Sequence, residues 1–134
     1  MISHVHLPVR DFERAHRFWT QLLPPLGWKL RFCEPDKPWA AWQPVHLDGP
    51  TGRPLLVYGR PLEGEPNPGN GVMLALLAPS RALVDAAHAA ALAAGGSDEG
   101  APGLRPNYHS DYYGAYLRDP EGNKIALACH DHLG

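Results

Sequence analysis

Hydrophobic and polar positions in the first half of the chain predict one strand, one helix and three further strands. Ile2 to Val9 alternate between two faces, as a strand does. Apolar residues with helical spacing follow Asp11, a candidate N-cap, and Pro24-Pro25 ends this helix. Apolar segments predict the remaining strands at 27–33, 38–46 and 54–58. The predicted order is β-α-β-β-β.

The second half repeats this order. An alanine-rich helix begins after Ser80, its candidate N-cap, and ends at Gly95-Gly96. The polar, Gly- and Pro-rich segment 97–110 predicts at most one short strand. Pro120 and Gly122 occupy positions in the run 119–123 that favour a tight hairpin turn. Apolar segments predict the other strands at 72–77, 112–118 and 124–129.

A segment without apolar periodicity, residues 59–71, separates the two halves. We therefore expect a single domain with module one at 1–60, a linker at 61–70 and module two at 71–134. One βαβββ unit leaves a sheet face exposed, so the two units should pair. The predicted class is α+β, with two paired βαβββ modules that form a curved mixed sheet, an open barrel, with helices outside. Its concave face is a natural cavity for a small molecule.

Composition and charge exclude several classes of protein. The chain has 134 residues, enough for one compact domain, and its 12 basic against 14 acidic residues make nucleic acid an unexpected partner. No apolar run has membrane-spanning length, so no membrane partner is expected. The two cysteines cannot form a disulfide framework and the opening residues do not resemble a signal peptide, which predicts a cytoplasmic protein. The eight histidines raise the question of a metal site.

Two runs resemble those of the vicinal oxygen chelate superfamily, which includes glyoxalase I, bleomycin-resistance proteins, fosfomycin-resistance enzymes and extradiol dioxygenases. The first is the opening of the chain: Ile2-Ser3-His4-Val5, Val9, Asp11, Ala15, Phe18-Trp19, Leu22-Leu23 and Leu26-Gly27. The second is the closing run from Asp119 to Ile125. The resemblance covers nearly the whole chain. It implies paired βαβββ modules that form an open barrel, and it implies a homodimer.

The resemblance also implies a metal site, but this chain has a ligand residue at only one of its four positions. Metal-dependent members hold a divalent ion with about four His, Glu or Gln side chains from the first and last strands of each module. His4 is a ligand type at the first of these positions, but 54–58 offers none at the second, and Met73 and Ala126 occupy the third and fourth. We predict an absent or badly weakened site with His4 as the one surviving ligand. No cofactor is predicted, although His4 leaves a divalent metal open.

His4 and Tyr116 are the candidate catalytic residues. If the face of the first strand that carries His4 and His6 lines the cavity, either histidine could act as a general acid or base. Tyr116 lies ten residues before Ala126, the relation that a pocket tyrosine has to the last ligand in extradiol dioxygenases. The structural alternatives are a hydrogen-bonded or core histidine and simple aromatic packing.

Small, apolar and aromatic residues are the candidates for the lining of the cavity. Such a surface suits an aromatic or amphipathic ligand. Two of the candidates belong to an aromatic, polar stretch that enters the penultimate strand, and an ordinary β-edge is the alternative for that stretch. The predicted lining residues are His6, Tyr58, Met73, His109, Tyr113 and Ala126.

Functions of different classes remain open at this point. The lost metal positions favour a binding protein of the bleomycin-resistance type, which sequesters a small organic molecule between protomers. His4, with Tyr116 and His6, keeps open a metal-dependent lyase, isomerase or dioxygenase of the glyoxalase type with non-standard ligands. A small-molecule sensor with a protein partner is a third option. The sequence therefore leaves undecided whether the protein is an enzyme.

Overall fold

The computed structural model describes residues 1–132, in which two α-helices and two four-stranded sheets form. Module one contains β1 His4–Pro8, α1 Phe12–Leu22, a 3-10 turn Pro24–Leu26, β2 Trp28–Glu34, β3 Trp39–Pro44 and β4 Leu55–Gly59. Module two contains β5 Met73–Leu77, α2 Arg81–Ala93, β6 Ser97–Leu104, β7 Tyr113–Arg118 and β8 Lys124–Cys129. The predicted linker, 61–70, falls between β4 and β5. Positions 133 and 134 of the predicted second module lie outside the described residues.

The two sheets have the same topology. Their strand orders are β1-β4-β3-β2 and β5-β8-β7-β6. In each, the first strand of the module runs parallel to the last, and the other neighbours are antiparallel. The α+β class and the two βαβββ modules are confirmed, and no barrel closes within residues 1–132.

Both helices begin at the predicted caps. The Asp11 carboxylate accepts from Arg14 N at 3.1 Å, and Ser80 Oγ accepts from Leu83 N at 3.1 Å. Each cap satisfies a backbone N–H that has no partner within the helix. In the described part of the chain, neither helix is both long and apolar enough to cross a membrane.

One hydrophobic core serves both modules. α1 contributes Phe18 and Trp19, α2 contributes Val84 and Ala91, and the helix-side faces of both sheets join them. Phe18 reaches into module two, where a Cβ added to Gly96 would lie 3.0 Å from its ring. The modules pair through this core: the helices contact each other inside it, and the two sheets share no ladder in residues 1–132.

The turn between β7 and β8 also joins the modules. The Asp119 carboxylate accepts from the backbone N of Glu121 at 3.0 Å and of Asn123 at 2.8 Å, which fixes the predicted turn. The Glu121 carboxylate accepts from Asp11 N at 2.8 Å and from the Arg14 guanidinium at 3.2 Å. A negative charge at a helix N-terminus is favourable, so the turn of module two holds the start of α1.

β6 is longer than predicted. It contains eight residues, Ser97–Leu104, inside the segment expected to hold at most one short strand. Its sequence has few β-formers, and its pairing with β7 shifts register twice. The strand therefore depends on pairing with β7 more than on its own propensity.

Candidate functional site

Five of the candidate residues lie on the outer face of their sheet, the face opposite the core: His4, His6, Met73, Tyr116 and Ala126. On module one this face carries His4 and His6, paired with Leu55 and Val57 of β4. On module two it carries the ladder of Ala75, Ala126 and Tyr116. The two sheets are separate, and the hollow that His6 borders is not the one that Tyr116 lines.

A groove of about 590 Å³ lies on the outer face of module two. It brings together three predicted residues: Met73, His109 and Tyr116. Ala126 lies in the same face but is fully covered. The full lining of this module-two groove is Met73, Glu99, Tyr108, His109, Tyr112, Tyr116, Lys124 and His130.

Two histidines from distant parts of the sequence meet at one side of the groove. His109 Nε2 lies 2.8 Å from His130 Nδ1, and the two rings stack at a centroid distance of 5.1 Å. Asp111 N donates to His109 Nδ1 at 3.2 Å. Because Nδ1 accepts this bond, the proton of neutral His109 lies on Nε2 and points at His130.

Two tyrosines line the groove beside the histidines. The Tyr112 and Tyr116 hydroxyl oxygens are 3.1 Å apart. The Tyr112 ring packs edge-on against His109 at 5.7 Å and against His130 at 5.2 Å. Desolvation, and then the bond to Tyr112, raise the pKa of Tyr116, so Tyr116 is a neutral phenol at physiological pH. The four side chains form one polar aromatic network.

Two cations flank Tyr116. Arg105 lies over its ring at 5.5 Å and Lys124 at 5.8 Å, both within cation–π distance. The Glu99 carboxylate in the groove is held by Arg118 Nε at 2.5 Å. The groove therefore has one cation in its lining, Lys124, and a second, Arg105, beside Tyr116.

Tyr58 is buried in the core, which corrects the prediction that it lines the cavity. Its hydroxyl lies 3.0 Å from Trp42 Nε1 and 2.6 Å from His16 Nδ1. Burial is the main cause that raises its pKa. Tyr58 pairs with Leu7 and Ala40, whose side chains face the helices, and this register places it on the same side.

Tyr113 also lies away from the groove, contrary to the prediction. Its hydroxyl donates to Asp85 Oδ1 of α2 at 2.6 Å, and Arg81 lies over its ring at 5.5 Å. Tyr113 pairs with the core residue Cys129 and shares a face with Ala115. Because side chains alternate along a strand, it lies opposite Tyr116.

His4 and His6 lie on the outer face of β1. His4 is exposed, with Ser3 Oγ 3.0 Å from its Nδ1. His6 borders a shallow hollow near Trp39 and Arg60. Burial, and then the charge of His4, lower the pKa of His6. The two histidines are neighbours on one face, as the sequence predicts, but their catalytic role stays a prediction.

The residues at the family's metal positions do not fit a divalent ion. His4 faces Leu55 across the parallel ladder, and the positions on module two hold Met73 and Ala126. A hydrocarbon side chain donates no electron pair, and a thioether is a poor ligand for a hard cation. Within residues 1–132, no group of three His, Cys, Asp or Glu side chains could hold a metal ion.

Several groove residues lie outside the predicted lining, although part of the signal is present in the sequence. Tyr112 has the parity of Tyr116, and Lys124 and His130 have the parity of Ala126, so alternation alone places them on one face. The approach of His109 to His130 depends on the loop between β6 and β7. Alternation does not predict that contact.

Comparisons with known proteins agree with this architecture. A family model described as Glyoxalase/Bleomycin resistance protein/Dioxygenase superfamily matches residues 1–127. A glyoxalase/bleomycin resistance protein from Albidiferax ferrireducens is 34% identical, with a TM-score of 0.79 over 96% of this chain and 98% of that one. A comparison with curated protein sequences gives no match.

More distant solved structures share the fold. A glyoxalase-related enzyme from Fulvimarina pelagi is 19% identical, with a TM-score of 0.70 over 96% of this chain and 87% of that one. A lactoylglutathione lyase from Agrobacterium tumefaciens is 20% identical, with a TM-score of 0.64 over 96% of this chain and 92% of that one. At these identities the likeness concerns the fold alone.

Proposed function

The chain belongs to the glyoxalase/bleomycin resistance protein/dioxygenase superfamily, and on that premise we propose that it binds a small organic molecule in the module-two groove without a metal ion. The observation that carries this proposal is the network of His109, His130, Tyr112 and Tyr116 on the outer face of β7 and β8 and the loop before β7. That binding needs no metal ion is proposed from the family's metal positions, because only His4 among them is a residue type that binds a metal.

The groove has the composition of a small-molecule site. Aromatic rings and Met73 give it apolar walls. A few polar atoms converge on this surface: two phenol hydroxyls and the imidazole pair. Apolar walls with few, fixed polar groups are typical of sites that bind and orient a ligand.

A thermal-shift screen of a small-molecule library in EDTA tests this proposal. A ligand at about 100 times its Kd adds about 2.7 kcal/mol to the free energy of unfolding, which raises Tm by several degrees. We expect stabilising compounds, and we expect His130→Ala to remove the shift while His132→Ala retains it. His132 is the matched control, because it lies two residues further on and outside the groove. Shifts that are equal in both variants would contradict the proposal.

The alternative function is a metal-dependent lyase, isomerase or dioxygenase of the glyoxalase type. The observation that favours it is the pair of His4 and His6 on one face of β1, which could recruit ligands of other types. Isothermal titration with Ni²⁺, Zn²⁺, Mn²⁺ and Fe²⁺ decides between the two functions. We expect no micromolar binding at His4. Micromolar binding that is lost in His4→Ala would overturn the metal-free proposal and favour the alternative.

We further propose that the protein is a homodimer in which the outer faces of two chains enclose the ligand. β1 and β5 are edge strands, and apolar side chains near β5 are exposed, with Leu77 67% and Val72 63% accessible. Exposed apolar residues clustered at a strand edge favour burial against a partner.

Sedimentation tests the dimer. We expect the mass of two chains at micromolar concentration. Leu77→Lys should shift the equilibrium towards one chain, whereas Leu62→Lys, at a more exposed leucine in the predicted linker, should not. A monomeric wild type at micromolar concentration would rule the proposal out.

A cytoplasmic location is part of the same proposal. Cys33 and Cys129 are both free thiols, and free thiols are usual in a reducing compartment. Neither nucleic acid nor a membrane is proposed as a partner.

A further inference from the structure

We infer that the module-two groove selects a planar aromatic ring that carries a carboxylate or another anionic oxygen. This inference rests on the proposed function and deepens it, because it names the class of ligand. Three features carry it: two cations beside Tyr116, a fixed N–H donor on His130, and flat aromatic walls.

The two cations have no carboxylate partner within 4.0 Å in residues 1–132. The Arg105 guanidinium donates to the carbonyl oxygens of Ala101 at 2.7 Å and Leu104 at 3.3 Å. Lys124 Nζ lies near the Tyr116 ring, and neither cation belongs to an ion pair of the described residues. Their charge is free to attract an anionic ligand.

The nearby carboxylates face other basic groups. Glu99 pairs with Arg118 at 2.5 Å, and Asp111 lies 4.0 Å from Arg81. Glu99 and Asp111 therefore neutralise the charges of Arg118 and Arg81. They form no ion pair with Arg105 or Lys124. Two cations without a carboxylate partner favour an anionic ligand over a cationic one.

The histidine pair supplies a donor of fixed direction. Asp111 N–H donates to His109 Nδ1, so His109 donates from Nε2 to His130 Nδ1. The proton of neutral His130 must then lie on Nε2. A backbone amide thus selects the tautomer of both rings, and His130 presents an N–H that suits an anionic oxygen.

The walls of the groove favour a flat ligand. Tyr112 packs against both imidazoles and, at 5.1 Å, against the ring of Tyr108. A planar ring can stack on or meet the edges of these rings, with an energy beyond that of area burial alone. A saturated ring of the same number of carbons lacks this aromatic contribution.

A second cleft, which is apolar, serves as a comparison for the module-two groove. It has a volume of about 540 Å³, lies between the modules, and is lined mainly by aliphatic residues such as Val5, Leu56 and Leu76. No lysine or arginine lines it. A ligand in this cleft would be neutral, so the charge dependence of binding distinguishes the two places.

Isothermal titration in EDTA with benzoate, benzamide and cyclohexanecarboxylate tests the inference. We expect benzoate to bind about tenfold more tightly than benzamide, because a charge-assisted hydrogen bond is worth more than a neutral one. Cyclohexanecarboxylate should also bind more weakly than benzoate. Lys124→Gln and Arg105→Gln should each weaken benzoate binding about tenfold while leaving benzamide unchanged.

Lys37→Gln is the matched control, because it removes one exposed lysine from module one. Equal affinity for benzoate and benzamide, or benzoate binding that both groove variants retain, would overturn the inference. If only neutral compounds bind, and His130→Ala abolishes their binding, the inference fails and the proposed function stands. If no compound of any class binds, the proposed function itself fails. Circular dichroism establishes that each variant is folded.

Discussion

Phe18→Ala should lower the free energy of unfolding of the whole chain by about 4 kcal/mol, since truncating a buried aromatic residue loses its transfer energy and leaves a cavity. Phe18 is fully buried and packs edge-on against Trp19 at 5.1 Å. Its ring also contacts module two at Gly96, where an added Cβ would lie 3.0 Å from the ring. Both modules should therefore lose stability together.

Chemical denaturation measures this effect. We expect one cooperative transition whose midpoint moves to lower denaturant concentration, with little change in slope. Phe32→Ala is the control, because Phe32 is only half-buried and packs on Trp39 at 4.7 Å. Its cost should be roughly 1–2 kcal/mol. Two separate transitions in Phe18→Ala would contradict a core that the modules share.

Glu121→Ala should cost roughly 2–3 kcal/mol, the second largest effect we expect. The Glu121 side chain is 3% exposed, and its carboxylate accepts from Asp11 N and from Arg14. Removal of this carboxylate leaves a backbone N–H at the start of α1 without its partner. The neighbouring Asn123 Nδ2 still donates to Pro8 O at 3.3 Å, so the modules remain joined but less tightly.

Glu121→Gln and Arg14→Ala separate the parts of this effect. Glutamine keeps one acceptor for Asp11 N and loses the charge, so its cost should lie between that of the wild type and that of Glu121→Ala. Arg14 is 45% exposed, and the cost of its loss should be about 1 kcal/mol or less. Equal stability of Glu121→Ala and the wild type in thermal and urea unfolding would show that the turn does not hold α1.

Most of the fold follows from periodicity and caps. The strand from Ile2, the helix capped by Asp11 and the turn at 119–123 all have local signals, and each element forms where these signals place it. β6 has no such signal, because Gly, Pro and acidic residues fill it. It exists through pairing with β7, a contact that no local pattern reports.

The candidate site follows from the sequence only in part. Alternation along β7 fixes that Tyr116 and Tyr113 point in opposite directions, so both cannot line one groove. The register of β4, set by pairing with β1 and β3, puts Tyr58 in the core. The His109–His130 contact spans 21 residues and depends on how the loop before β7 folds. Tertiary contacts of this kind lie beyond single-sequence reasoning.

The most direct test of metal-independent binding in the module-two groove is nuclear magnetic resonance of isotopically labelled protein in EDTA. The protein is titrated with the compound that stabilises it most in the library screen. We predict that the largest chemical-shift changes occur at Tyr112, Tyr116 and His130, in the absence of any divalent ion. Changes confined to Leu56 and Leu76 of the apolar cleft, or changes that require added metal, would contradict the account.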